Sequence, residues 1–145
     1  MHSLDRLRLR VAANALGRLP AHLDQGRERA RQRYARLAGL KGVSVLGDRP
    51  GADGTWPFFM LIMPDKKRRD NALQRLWREG LGVSKLFARA LPDYDFLAPV
   101  LGDGSGASDC PNARELADRM LTVSNTHWLD DETFDRIAGE LERVL

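Results

Sequence analysis

The chain has 145 residues, of which 43% are hydrophobic and 30% charged, and its net charge is +3. This length suits one domain with one core, and the composition excludes a disordered chain, which has too little apolar content to offset chain entropy. The longest apolar run, Phe58 to Met63, is far short of the about 20 residues that a membrane-spanning helix needs, and the single cysteine, Cys110, excludes an internal disulfide or a multi-cysteine metal site.

Met1 to Arg6 lack the apolar segment of a signal peptide, so a cytoplasmic protein is expected. Charge is uneven. Nine arginines precede Ala38 against Asp5, Asp24 and Glu28, a surplus of six, which leaves the rest of the chain net acidic by three. Such asymmetry can mark a surface for nucleic acid or for an acidic protein.

Leu9, Ala12, Ala13, Leu16 and Leu19 recur at helical spacing, and Leu23, Ala30, Tyr34 and Leu37 resume the series after Pro20. Two consecutive amphipathic helices or one kinked helix are expected, with Pro20 able to open the second, because a first-turn amide has no intrahelical partner to lose. Gly39 and Gly42 close the segment. Val43 to Leu46 and Trp56 to Met63 are strand candidates around a turn-rich stretch from Gly47 to Gly54. The second strand is apolar throughout, which predicts a central strand covered by helices on both faces.

Ala72, Leu73, Leu76 and Trp77 then form one helical face that ends at Gly80, and Val83 to Phe87 reads as a third strand. Ala88 to Asp109 shows no sustained period and is expected to be a long loop, a common location for binding groups. Pro111 opens a helix with Ala113, Leu116, Ala117 and Met120 on one face, and Leu121 to Val123 form a short strand. Asp130 suits the cap of a final helix whose Phe134, Ile137, Leu141 and Val144 keep the spacing. The sum is an α+β fold, a small sheet covered by helices. It makes one domain over 1–145, with a helical leading segment over 1–38 and an α+β part over 39–145.

Several residues carry chemistry that must be weighed against packing. Cys110 at a helix start could be an activated thiolate, but no histidine pattern supports it, and it reads as a packing residue. His127 with Asp130 and Asp131 fits no metal-ligand spacing and reads as a helix cap plus a surface histidine. Lys66-Lys67-Arg68-Arg69 at a helix start invites an anion, although a solvated basic face explains it as well. Gly102-Asp103-Gly104-Ser105-Gly106 lacks the lysine and hydroxyl residue of a phosphate loop and reads as a linker. Trp56, Phe58 and Phe59 could stack on a base, but their place in the most apolar strand assigns them to the core. Arg89 and Tyr94, in the long loop, are the candidates for substrate contact. No metal site is expected.

The phrase from Cys110-Pro111-Asn112-Ala113 through Glu115-Leu116 to Leu121, followed by Trp128-Leu129-Asp130-Asp131-Glu132, resembles the small, carboxy-terminal domain of the DegT/DnrJ/StrS aminotransferases. Further upstream, Arg18-Leu19, Arg27, Arg29 and Tyr34 resemble the family's long arginine-rich helix. Trp56-Pro57-Phe58-Phe59-Met60 resembles its central small-domain strand, and Gly80-Leu81-Gly82-Val83 its turn after the next helix. The loop Phe87 to Tyr94 carries no histidine where many members have one.

The resemblance implies a fold-type I small domain and a dimeric enzyme that moves an amino group, usually from glutamate, to a nucleotide-linked keto sugar with pyridoxal phosphate (PLP) as electron sink. In the family the Schiff-base lysine, the acidic partner of the pyridine nitrogen and the phosphate cradle lie mainly in the large domain. None of Lys41, Lys66, Lys67 and Lys85 sits in a family-like Schiff-base context. The expectation is therefore a chain that binds no cofactor and does not transaminate alone, with a large cofactor-binding domain or chain as its partner. The alternative is a non-enzymatic module whose arginine-rich helices grip nucleic acid or an acidic protein, against which stands the lack of any recognition motif.

Overall fold

The side chain of Asp5 accepts a hydrogen bond from the Arg8 amide at 2.8 Å and so caps a helix, α1, that runs without interruption over Arg6–Ala38. The computed structural model describes residues 5–101 and 109–145. Pro20 neither starts a second helix nor ends the first; it lies inside α1 and costs it one amide donor. The helix is 33 residues long, about 50 Å at 1.5 Å per residue, and only its second half is packed. Ala30, Arg33 and Leu37 are buried, whereas Leu7, Leu9, Val11, Leu16 and Leu19 are exposed.

Four antiparallel strands follow in the spatial order β1-β2-β4-β3: β1 Ser44–Val45, β2 Phe58–Ile62, β3 Val83–Ser84 and β4 Met120–Ser124. The registers Phe59↔Val123, Leu61↔Leu121 and Val83↔Val123 put these side chains on one face. On that face they form the core with Leu37 of α1, Leu76 of α2 (Lys66–Arg78) and Phe134, Ile137 and Leu141 of α5 (Asp131–Val144). Phe59, Leu61, Leu121 and Val123 are fully buried.

β2 is central, as its apolarity predicts, but cover on the second face is incomplete. Phe58, Met60 and Ile62 alternate with the core residues and remain half-buried. Met120 and Thr122 on the same outer face are buried. Trp56, which precedes β2, adopts a φ of 48°, rare for a side-chain-bearing residue. Asp48 Oδ2 holds it there, accepting from Trp56 Nε1 at 3.0 Å and from the Gly54 amide at 2.9 Å.

The third strand is shorter than expected. Ser84 Oγ lies 2.6 Å from Thr122 Oγ1, and the chain leaves the sheet at Lys85. The long loop carries two 3-10 turns, Leu91–Asp93 and Asp95–Leu97, and one helical turn, α3 Ala98–Leu101. α4 spans Pro111–Arg119, with proline in its first turn and Ala117 as its buried residue; Ala113 and Leu116 face outward rather than into the core. Trp77 is likewise exposed, and its Nε1 donates to Val83 O at 2.8 Å. Asp130 caps α5 by accepting from the Thr133 amide at 2.7 Å.

Candidate functional site

A groove of about 440 Å³ lies between the first turns of α2, the body of α4 and the segment 85–93, and Arg89 is on its wall. Five basic and three acidic side chains line it, so two positive charges are in surplus. Each carboxylate already holds a cation. Asp93 takes both Nε (2.9 and 3.1 Å) and Nη2 (2.8 Å) of Arg114, Asp118 pairs with Lys66 at 2.8 Å, and Asp70 pairs with Arg69 Nε at 2.7 Å. The hydrogen bond from Arg114 holds the Asp93 carboxyl below the usual carboxylate range, and the same bond raises the Arg114 guanidinium.

Arg69 forms the floor. Its side chain is 1% exposed, and Nη1 donates to Ala117 O at 2.8 Å and Met120 O at 3.3 Å, closing the end of α4 onto the sheet. The remaining cations are Lys85 and Arg89. Among the described residues Lys85 is half-buried without an ion pair, and Arg89 makes only a 3.3 Å bond from Nη1 to the Asp93 carbonyl. The groove is thus a concavity lined by Lys85, which has no ion pair among the described residues, and by Arg89, whose charge adds to that of Arg114 in holding the Asp93 carboxyl low.

The structure separates the two residues nominated from sequence. Arg89 reaches the groove, whereas the Tyr94 ring turns to Phe96, 5.4 Å away between centroids, and does not line it. Sequence reasoning missed Asp93, Lys85 and Arg114, because their meeting depends on how α4 returns past the loop. It also grouped Lys66 to Arg69 as one solvated face. The fold disperses them: Lys66 lines the groove, Arg68 Nε donates to Leu145 O at 3.1 Å, and Arg69 is interior.

The other candidates resolve into structural roles. Asp131 pairs with the buried Arg33 at 2.8 Å, Asp130 caps α5, and His127 stacks on Trp128 at 4.2 Å and meets the His22 ring edge-on at 5.7 Å. Among the described residues, no three His, Cys, Asp or Glu side chains are grouped to hold a metal. Cys110 occupies the cap position of α4 without a side-chain cap bond. Gly102 to Gly106 lie outside the described residues. Trp56 and Phe59 pack together at 5.6 Å, with Phe59 fully buried, while Phe58 is on the half-covered outer face.

A second concavity of about 450 Å³ lies between α1 and the 47–56 loop, with Tyr34 and Trp56 on its walls. Its cations are matched: Arg27 lies 3.3 Å from Asp24 and 3.0 Å from Asp53, and Arg31 lies 2.9 Å from Glu28. It offers no surplus charge.

The fold is therefore a helix-covered antiparallel α+β domain with a basic groove at the edge of the sheet. The profile of the DegT/DnrJ/EryC1/StrS aminotransferase family matches residues 4–142, and the chain belongs to that family. No curated protein sequence matches it. Among solved structures, 3-amino-5-hydroxybenzoic acid (AHBA) synthase superposes with a TM-score of 0.73 at 22% identity, covering 89% of this chain and 35% of its own. The aminotransferase TlmJ from Streptoalloteichus hindustanus gives 0.73 at 22% identity, covering 91% and 34%. The PLP-form of Spr1654 from Streptococcus pneumoniae gives 0.73 at 19% identity, covering 89% and 32%. The chain thus spans about a third of the length of the solved structures it matches.

Proposed function

We propose that this chain is the small domain of a PLP-dependent aminotransferase acting on a keto sugar, and that the cofactor is held by a large domain it docks against. The observation that carries this reading is the family match over nearly the whole chain, combined with coverage of only about a third of each solved neighbour. Residues 1–38 would lead from the large domain, and 39–145 would form the small domain. The first half of α1 supports docking, because Leu9, Leu16 and Leu19 form an exposed apolar stripe that isolated soluble domains seldom leave uncovered. That stripe also favours a protein partner over nucleic acid for the arginine-rich helix.

The lining of the basic groove supports a cofactor held elsewhere. Both lysines of the basic groove, Lys66 and Lys85, lie on a wall without an aromatic ring to stack on the cofactor, and its three carboxylates are committed to cations. In the assembled enzyme Arg89 and Tyr94 would contact substrate from the 88–101 segment, and the assembly would be dimeric and cytoplasmic. No described helix is long and apolar enough to cross a membrane. The test is an assay of amino transfer from glutamate to a nucleotide-linked keto sugar with saturating PLP. The chain alone gives no turnover, and supplying a large domain restores it; turnover by the chain alone refutes the division of labour.

A further inference from the structure

We propose that His22 of α1 and His127, between β4 and α5, together bind a divalent transition-metal ion of the zinc, nickel or copper class. The fold brings the two rings to 5.7 Å between centroids, edge to face, a pairing that no local spacing shows. Both side chains are exposed, and neither ring has a hydrogen bond or an ion pair among the described residues. Their nitrogens are therefore not committed to other protein groups.

The chemistry selects the ion. Imidazole nitrogen suits zinc, nickel and copper, whereas magnesium and calcium take oxygen ligands. An ion about 2.0–2.1 Å from one nitrogen of each ring lies about 3 Å from each ring centre, so rings that share it have centres about 5–6 Å apart at a tetrahedral or wider angle. The observed separation of 5.7 Å meets this condition. Turning a nitrogen toward the ion breaks no bond within the protein, and water completes the coordination. His127 also stacks on Trp128 at 4.2 Å between centroids, which restricts one ring before the ion arrives. A ring contact without a metal role leaves the nitrogens to water and predicts no response to these ions.

The pair lies where α1 leaves the body of the domain. Leu19, one turn earlier, is exposed, and Ala30, two turns later, is buried. A shared ion clips the helix to the segment that leads into α5. The unfolded chain holds no such pair, so binding stabilises the folded state. This inference does not rest on the aminotransferase reading, and its test uses the chain alone without PLP.

The test is made in a His2→Ala background, in which His22 and His127 are the only histidines. Nickel chloride and zinc chloride are titrated calorimetrically into the untagged, metal-free protein, with magnesium chloride as control, and thermal unfolding is followed with and without nickel. His22→Ala and His127→Ala are then added separately; both positions are exposed, and circular dichroism verifies that each variant is folded.

The expected result is one-to-one binding of nickel and zinc with a raised Tm, no response to magnesium, and affinity reduced more than about tenfold by either substitution. Absence of saturable binding overturns the proposal. So does affinity that either substitution leaves unchanged, which would put the ion elsewhere, or an equal response to magnesium, which would mean diffuse attraction to carboxylates.

Discussion

Arg33 in α1 donates through Nη1 to Asn125 Oδ1 at 3.2 Å, across 92 residues of sequence, and this bond joins the long helix to the end of β4. Asn125 passes the connection on, because its Nδ2 donates to Trp56 O at 2.9 Å. Arg33 Nη2 also donates to Leu129 O at 2.6 Å and to Asp131 at 2.8 Å, with the guanidinium 4.9 Å from the centre of the Phe134 ring. One buried fork thus fixes α1, the approach to β2 and the start of α5.

Arg33→Ala should therefore destabilise the fold by about 3 kcal/mol, since it leaves buried acceptors on Asn125 and Leu129 without donors. Arg33→Lys should recover only part of this, because one ammonium cannot span the positions of a planar fork. Urea unfolding of the two variants checks both statements.

The halves of α1 should respond differently to the same change. Leu37 is fully buried against the sheet, and Leu37→Ala is expected to cost about 2–5 kcal/mol. Leu16 is 65% exposed, and Leu16→Ala should alter the stability of the isolated chain by less than about 0.5 kcal/mol. In the proposed assembly the order changes, and Leu16→Ala weakens docking of the large domain. Chemical denaturation of the chain and co-elution with a large domain separate the two effects.

Acid should unfold the protein through its paired carboxylates. Glu140 accepts from Arg75 Nε at 3.0 Å and Nη2 at 2.7 Å and also pairs with Arg143, and the Arg75 hydrogen bond holds its carboxyl below the ordinary range. The hydrogen bonds of Arg114 to Asp93 and of Arg36 to Glu142 do the same. Each group binds fewer protons folded than unfolded near its ordinary value, so its contribution is complete above about pH 4–5 and is lost as pH falls through the lower folded value. Tm should be level from neutral pH to about pH 5 and fall below about pH 4. Glu140→Gln should lower Tm at neutral pH and reduce the acid-side fall; thermal scans across pH read both.

Two glycines give opposite signs. Gly80 ends the α2 segment at φ 67°, where a side chain is strained, and Gly80→Ala should cost about 1 kcal/mol. Gly26 sits inside α1 with open space where a Cβ would go, so Gly26→Ala should stabilise by up to about 1 kcal/mol. Paired thermal unfolding curves suffice.

Much of this architecture was legible because local rules and tertiary packing agree. Asp130 as cap and the Phe134, Ile137, Leu141 spacing marked α5, and the apolarity of Phe58 to Ile62 marked the central strand. Pro20 left one helix or two open, and the single helix holds because one missing amide bond does not stop a helix that favourable neighbours carry on either side. β3 was read too long because Lys85, Leu86 and Phe87 continue an apolar-leaning run, yet β4 offers pairing partners only to Val83 and Ser84. The groove was the least legible part. Asp93 and Arg114 are 21 residues apart with no local period between them, and only the return of α4 past the 85–93 segment brings them together. Arg89 was found through its place in a loop, which says where function concentrates but not which neighbours it will meet.

The central claim is that this chain supplies the small domain while PLP is held elsewhere. The direct measurement is the visible spectrum of the purified chain with PLP, before and after addition of L-glutamate, followed by borohydride reduction and mass mapping of the lysines. The account predicts the spectrum of free PLP with no glutamate-dependent change. A glutamate-dependent spectral change together with a stoichiometric reduced adduct on one lysine would contradict it.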